Sequence, residues 1–162
     1  MDPEKVLEGK KILVVDDEID VLDFLSERLE TSEVDRALSY EEAKELLETN
    51  HYDAAVLDIM GVRGYDLLEL ARGRGIPVLM LTAHALSRDS MKESFEKGAY
   101  YYVPKDEMDK IDVYLADILE ALENDKNVWL KWYDRLSTFC DRRFGANWRN
   151  EDPEFWDSLL KY

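Results

Sequence analysis

Three short runs, "KILVV" (11–15), "AAVLD" (54–58) and "PVLML" (77–81), constrain the fold of this chain more than anything else in it. Each run is apolar almost throughout and shows no alternation. A strand with one wet face alternates; a strand covered on both faces does not, and such strands belong to parallel sheets. Parallel neighbours need a crossover connection, usually a helix, and the intervening segments supply one each. Ile19, Leu22, Leu25 and Leu29 recur on one helical face. "SYEEAKELL" opens with Ser39 and Glu42 at capping-box spacing and then groups Ala43, Leu46 and Leu47. Leu67, Leu68 and Ala71 follow Gly64, and Ser87 is placed to cap a helix carrying Met91 and Phe95 that Gly98 stops. "EVDRALS" (33–39) and "YYYV" (100–103) supply the remaining strands. Five alternations of strand and helix predict an α/β fold, an open sheet with helices on both faces.

The pattern changes after residue 105. From Lys105 to Phe144 there is no Gly and no Pro, and apolar residues fall three or four apart from Ile111 through Leu115, Ile118 and Leu122 to Trp129, Trp132, Leu136 and Phe139. The periodicity skips at Asp125 within "NDKN", a weak helix former, so one long helix runs through or two helices meet there. Asp152–Pro153 reads as a cap and first helical position for a short last helix. Charge divides at the same place. Residues 124–162 hold seven Lys/Arg and seven Asp/Glu, so residues 1–123 carry the whole formal charge of −16. All four tryptophans lie in the neutral part. Two units are expected, 1–123 and a helical extension over 124–162. The acidity argues against a nucleic-acid backbone as partner, which clustered Lys and Arg would bind. No apolar run is long enough to span a bilayer, and the one cysteine, Cys140, forms no internal disulfide; together these favour a cytoplasmic protein. Cys140 falls on the apolar side of its helix and reads as core.

Ligands of open parallel sheets bind beyond the carboxyl ends of the strands, where the strand order reverses. The first run ends in Asp16–Asp17, the third strand in Asp58, the fourth in Thr82 and the fifth in Lys105. Taken singly, each is an ordinary turn, cap or solvated residue; four of five strand ends carrying them is the signature of a site. Clustered carboxylates repel and hold protons unless a cation neutralises them. A hard divalent ion with oxygen ligands, Mg²⁺ before Ca²⁺, resolves the conflict and shares its coordination with phosphate oxygens. Lys105 would balance another of those oxygens, Thr82 would donate a hydrogen bond, and Asp58 could act as nucleophile toward phosphorus.

"ILVVDDE", "AVLDIM", "VLMLTAHA" and "KGAYYYVPK" together resemble, in order and spacing, the receiver domains of two-component response regulators, the CheY-like superfamily. The resemblance covers about residues 10–123. It implies a five-stranded parallel sheet of flavodoxin-like order 2-1-3-4-5. It also implies Asp58 as phosphoacceptor, Asp17 as a direct Mg²⁺ ligand, Asp16 acting through metal-bound water, and the Met60 backbone carbonyl as a further ligand. Thr82 and Lys105 resemble the family's switch hydroxyl and phosphate-binding lysine, and Tyr102 the aromatic whose rotamer reports phosphorylation. Met60 and His84 hold positions that in the family line the access of water to the phosphoryl group. Two departures stand out. The family's Lys–Pro pair appears here as Pro104–Lys105–Asp106, so Lys105–Asp106 is expected to be trans and Val103–Pro104 is where a cis bond would fall. The loop "IMGVRG" is about two residues shorter than usual and lacks a proline. After the lysine, Asp106 is placed to cap the next helix, with Asp109 in its first turn.

The expected function is that of a phosphorelay response regulator rather than an enzyme, taking a phosphoryl group from a sensor histidine kinase and switching protein–protein contacts. The contacts would be with an output protein or with a second copy through the last receiver helix and the tail. The alternative is a receiver-like interaction or dimerisation module that does not switch. A small-molecule phosphatase fits less well, because Met60 stands where such enzymes commonly place a second Asp. The tail can fold back on the receiver, pair with a second chain or dock a partner.

Overall fold

The computed structural model describes residues 2–83 and 86–161. Its core is a five-stranded parallel sheet of β1 (Lys11–Val15), β2 (Glu33–Ala37), β3 (Ala54–Asp58), β4 (Val78–Thr82) and β5 (Tyr101–Pro104), in the order β2-β1-β3-β4-β5. Every residue of β3 and β4 is buried, as their lack of alternation requires. The crossovers are α2 (Ile19–Arg28), α3 (Tyr40–Thr49), α4 (Gly64–Gly73) and α5 (Arg88–Glu96), with α6 (Ile111–Glu123) following β5. The fold class and strand order agree with the expectation from the sequence.

Local chemistry sets most helix starts. The Ser39 hydroxyl accepts from the Glu42 N–H at the head of α3. Ser87 and Ser90 cap each other's backbone in a full capping box at the head of α5. Leu22, Leu25 and Leu29 are buried beneath α2, but Ile19 is 54% exposed, so the apolar face of that helix begins with Val21 instead. Asp106 does not cap the helix after β5. A 3₁₀ turn over Lys105–Lys110 starts directly at the strand end with Pro104 before it and no side-chain cap, leaving Asp106 and Glu107 in its first turn. The fixed φ of proline presents the chain ready to turn, which removes the need for a cap. No peptide bond among the described residues is cis. A short helix not anticipated from the sequence, α1 (Pro3–Leu7), starts with an Asp2 cap that accepts from the Glu4 N–H and with Pro3 in its first turn; it buries Leu7 and packs on α6.

The helical tail breaks where the periodicity skips. Asp125 takes a left-handed conformation (φ 54°) between α6 and α7 (Val128–Phe144), so the chain reverses instead of running on as one helix. Asn127 then caps α7 by accepting from Trp129 and Leu130 N–H groups. A 3₁₀ turn over Trp148–Glu151 leads to α8 (Pro153–Leu160), whose N-cap Asp152 accepts from Phe155 N–H. The tail folds back on the sheet. Trp132, Leu136, Cys140, Trp148 and Trp156 are buried in the same cluster as the strands. Because β5 is an edge strand, some of its carbonyls have no strand partner, a liability that must be covered. The indole N–H of Trp132 donates to the Tyr102 carbonyl (2.9 Å), and that of Trp129 to the Ala99 carbonyl (3.2 Å).

Gly64 shows how tightly the strand end is packed against its crossover. A Cβ at this position would overlap the main-chain carbonyl oxygen of Asp58 and crowd Ile59 Cα, both of them backbone that cannot step aside. Gly64→Ala is therefore expected to destabilise the fold by about 2 kcal/mol or more, in the upper range for overpacking. Urea unfolding of the variant against wild type measures this directly, as a lower midpoint at unchanged slope.

Candidate phosphoryl and metal site

The strand order reverses between β1 and β3, because β1 sends its chain to β2 on one side and has β3 on the other. Val15 pairs with Leu57, so the next residues outward on these neighbouring strands are Asp16 and Asp58. Both carboxylates are buried, and Asp17 beside them is exposed. One oxygen from each of the three lies within 4.8 Å of the others. On the other side, β3 pairs with β4 and β4 with β5, with Thr82 opposite Pro104. That register brings Lys105 to the same crevice. Its Nζ is 2.9 Å from Asp16 Oδ2, 3.7 Å from Asp58 Oδ2 and 3.8 Å from Glu18 Oε2.

The electrostatics are strained, as the sequence suggests. Burial, then the neighbouring Asp16, push the Asp58 carboxyl up to about 7, and Lys105 offsets only part of that; Asp17 and Glu18 add to the rise. Burial likewise raises Asp16, against the pull of Lys105 and of the Glu18 N–H, which donates to Asp16 Oδ1 at 2.9 Å. Burial works against the Lys105 ammonium, but Asp16, Asp58 and Glu18 outweigh it and hold the group above its ordinary range. Asp16 Oδ2 is buried, and the Lys105 ammonium at 2.9 Å is its close partner. One ammonium facing both Asp16 and Asp58 leaves the cluster short of positive charge, which a further cation would supply. Three hard oxygen donors suit a divalent ion such as Mg²⁺ or Ca²⁺ and not a soft metal. Asp16, Asp17 and Asp58 could therefore hold a metal.

The loop after β3 is shaped around this cluster. Gly61 has φ 85°, and a Cβ there would overlap the Asp17 carboxylate. Glycine thus allows the short loop to close over the acid. Met60 stands in this loop with its side chain exposed at the rim. Thr82 is buried at the end of β4. Tyr102 is also buried, and its ring points toward the head of α5. The hydroxyl is 2.7 Å from Ser90 Oγ and accepts from the Ser87 N–H at 3.4 Å. His84 lies outside the described residues. Two participants had no place in the sequence reading. Glu18, third in the acidic run "DDE", adds its carboxylate beside Lys105, and Gly61 makes room for Asp17.

In metal-free buffer, the raised Asp58 pKa makes a directional prediction. The folded protein holds a proton that the unfolded chain, with an ordinary carboxyl, releases between about pH 4 and 7. Stability contributed at this group therefore falls as pH rises over that window and levels off above it. Asp58→Asn should match wild type near pH 4 and exceed it by about 2 kcal/mol or more at pH 8 in EDTA. Excess Mg²⁺ should narrow the gap by stabilising wild type. Denaturant unfolding at both pH values, with and without the ion, checks this.

Comparison with known proteins agrees with the geometry. Residues 12–117 match the model of the response regulator receiver domain. Over 100 residues the chain is 36% identical to the heme response regulator HssR of Staphylococcus haemolyticus, covering 59% of this chain and 44% of that protein. The chain thus matches less than half the length of these curated relatives. Among solved structures it resembles the receiver domain of the Francisella response regulator 1452 (30% identity, TM-score 0.61, 68% of this chain and 96% of that one). It also resembles the BeF3-activated receiver domain of DrrB, a Thermotoga maritima protein (30% identity, TM-score 0.60, 71% and 98%). With a matched segment spanning β1 to α6 and the acidic crevice at its switch point, the chain belongs to the response regulator receiver domain family.

Proposed function

We propose that this protein is a phosphorelay receiver that accepts a phosphoryl group on Asp58 from the phosphohistidine of a sensor histidine kinase, with Mg²⁺. The observation that carries the reading is the buried Asp58 carboxylate at the β3 end, with Asp16 beside it and the Lys105 ammonium 3.7 Å away. Asp16, Asp17, Asp58 and the Met60 carbonyl would hold the ion, which supplies charge neutralisation for phosphoryl oxygens. An Asp58 oxygen attacks phosphorus as the P–N bond to the kinase imidazole breaks, and the imidazole leaves with the bonding pair and takes up a proton. Lys105 balances the charge on an equatorial oxygen, and Thr82 donates to another. Transfer needs Asp58 ionised, and in the bare crevice its carboxyl sits near neutrality; a cation would lower it. The response would be closure of Thr82 and Lys105 on the phosphoryl group, with Tyr102 moving behind Thr82. We further propose that 1–123 is the receiver domain and 124–162 a helical extension of it. Among the described residues no helix is long and apolar enough to cross a membrane, in keeping with a cytoplasmic signalling role and no membrane span. The acidic receiver likewise fits a protein partner and no nucleic acid.

The second reading is a receiver fold that no longer switches. It is favoured by the tail, which already occupies the β5 edge. The two part on a simple measurement. Acetyl phosphate with Mg²⁺ should add one phosphoryl mass to the intact wild-type chain and none to Asp58→Asn, and Lys105→Met should cut the labelled fraction at least about tenfold, the loss of one well-placed charge contact. Absence of label on wild type would remove the proposal, and equal label on Asp58→Asn would move the acceptor elsewhere.

A further inference from the structure

The acidic crevice and the docked tail share one strand. Lys105 follows β5, and Tyr102, three residues before it, is held at both ends. Its hydroxyl meets Ser90 Oγ and the Ser87 N–H at the head of α5, and its main-chain carbonyl takes the indole N–H of Trp132 in α7. Ser87 lies five residues beyond Thr82, so the chain leaving the end of β4 enters α5 through the residues that grip Tyr102. In turn α5 is the floor of the tail. Phe95 meets Trp132 and Trp156 edge-on at 4.7 and 6.0 Å, and the Cys140 Sγ lies 3.8 Å from Met91 Sδ. Arg88 and Lys92 pair with Glu151 and Asp152. A third tie runs from α7 to the sheet through α6, where the buried Asp117 carboxylate takes Arg135 at 3.0 and 3.1 Å and the Tyr101 hydroxyl at 2.8 Å.

We propose that segment 128–160 is the switched partner of the site, a ligand in cis for the surface of α5, β5 and α6 that is loosened when a phosphoryl group occupies Asp58. This rests on the function proposed above. Movement of Thr82 toward phosphoryl oxygens draws on the chain that enters α5, and the Tyr102 contacts with Ser87 and Ser90 are the first to yield. The floor under Trp132 and Trp156 then shifts, and the Trp132 bond to the Tyr102 carbonyl shifts with it. The hinge is the break after α6, where Asp125 holds a left-handed backbone that a non-glycine residue adopts at a cost. Loosening uncovers the aromatic face of α7 and α8 together with Phe95, so one event exposes a surface that the resting protein conceals. Coupling of the usual size changes an equilibrium about 5- to 150-fold, so the expectation is a larger undocked population, not wholesale release.

Reciprocity makes the proposal testable from both sides. Hydrogen exchange on the full chain, with and without Mg²⁺ and beryllofluoride, should show amides of 128–160 exchanging at least about fivefold faster in the complex. Trp132→Phe keeps an aromatic ring but loses the bond to Tyr102, and Phe155→Ala weakens the half-buried end of the tail. Either should bind beryllofluoride more tightly, the gain growing with the undocked fraction and reaching the full coupling factor only when the tail is mostly undocked. Intact mass after acetyl phosphate, read on the same preparation, reports whether Asp58 is occupied. Label on Asp58 with unchanged or slower tail exchange overturns the proposal alone, as does a variant whose tail is mostly undocked yet binds beryllofluoride no more tightly than wild type. No label on Asp58 overturns it together with the reading on which it rests.

Discussion

Like charge confined at the ends of two adjacent strands is the condition around which the rest of this protein is arranged. Asp16 and Asp58 are next to each other because β1 and β3 pair in register, and both are removed from water by the crossovers packed over them. Two buried carboxylates cannot both ionise cheaply. Lys105 relieves part of the conflict, at unequal distances of 2.9 and 3.7 Å, and the remainder appears as the raised Asp58 and Asp16 carboxyls. A crevice left short of positive charge favours whatever brings more of it. That is why the same geometry that costs stability provides affinity for a hard cation and the phosphoryl oxygens it accompanies.

The backbone around the crevice is committed to that arrangement. Gly64 lets the first turn of α4 lie against the Asp58 carbonyl, and Gly61 leaves space for the Asp17 carboxylate. At Gly64 no rotamer change could make room, since the neighbour is backbone; at Gly61 the Asp17 carboxylate would have to swing out of the acidic cluster, and the positive φ disfavours any other residue. The loop after β3 can lie this close to the site because glycine occupies these two contact points.

The tail is held by a different kind of force. A buried indole removes roughly 150–250 Å² from water, about 4–6 kcal/mol of transfer free energy for each of Trp132, Trp148 and Trp156. The ion pairs of Arg88, exposed, and of Lys92, half-buried at the surface, add little beside this, because solvent screens them. They orient the last turn and α8 over α5, while aromatic burial supplies the attachment. Two indole N–H groups also bind carbonyls here, that of Tyr102 on the edge strand β5 and that of Ala99 just before it.

How much could be read from the chain alone follows the range of the physics involved. Runs without alternation, capping serines and strand-end acids are local or periodic signals. They were sufficient for the sheet, for the caps at Ser39, Ser87 and Asp152, and for bringing Asp16, Asp17, Asp58 and Lys105 to one crevice. Local reasoning failed where a neighbour in space outweighed the sequence. Ile19 has the spacing of a core residue yet stays exposed, and Asp106 has the chemistry of a cap yet is bypassed by the turn that Pro104 sets up. The direction of the tail was undetermined for the same reason. The sequence marked a weak point at Asn124–Asn127, but only packing decides between a continuous helix and a reversal, since the burial of three indoles against α5 and β5 far exceeds any local preference at Asp125. By itself, then, the sequence determined which strands form and which charges meet. Tertiary structure decided how strongly those charges conflict and where the aromatic tail finds its cover, because both depend on burial, which is a property of the folded whole.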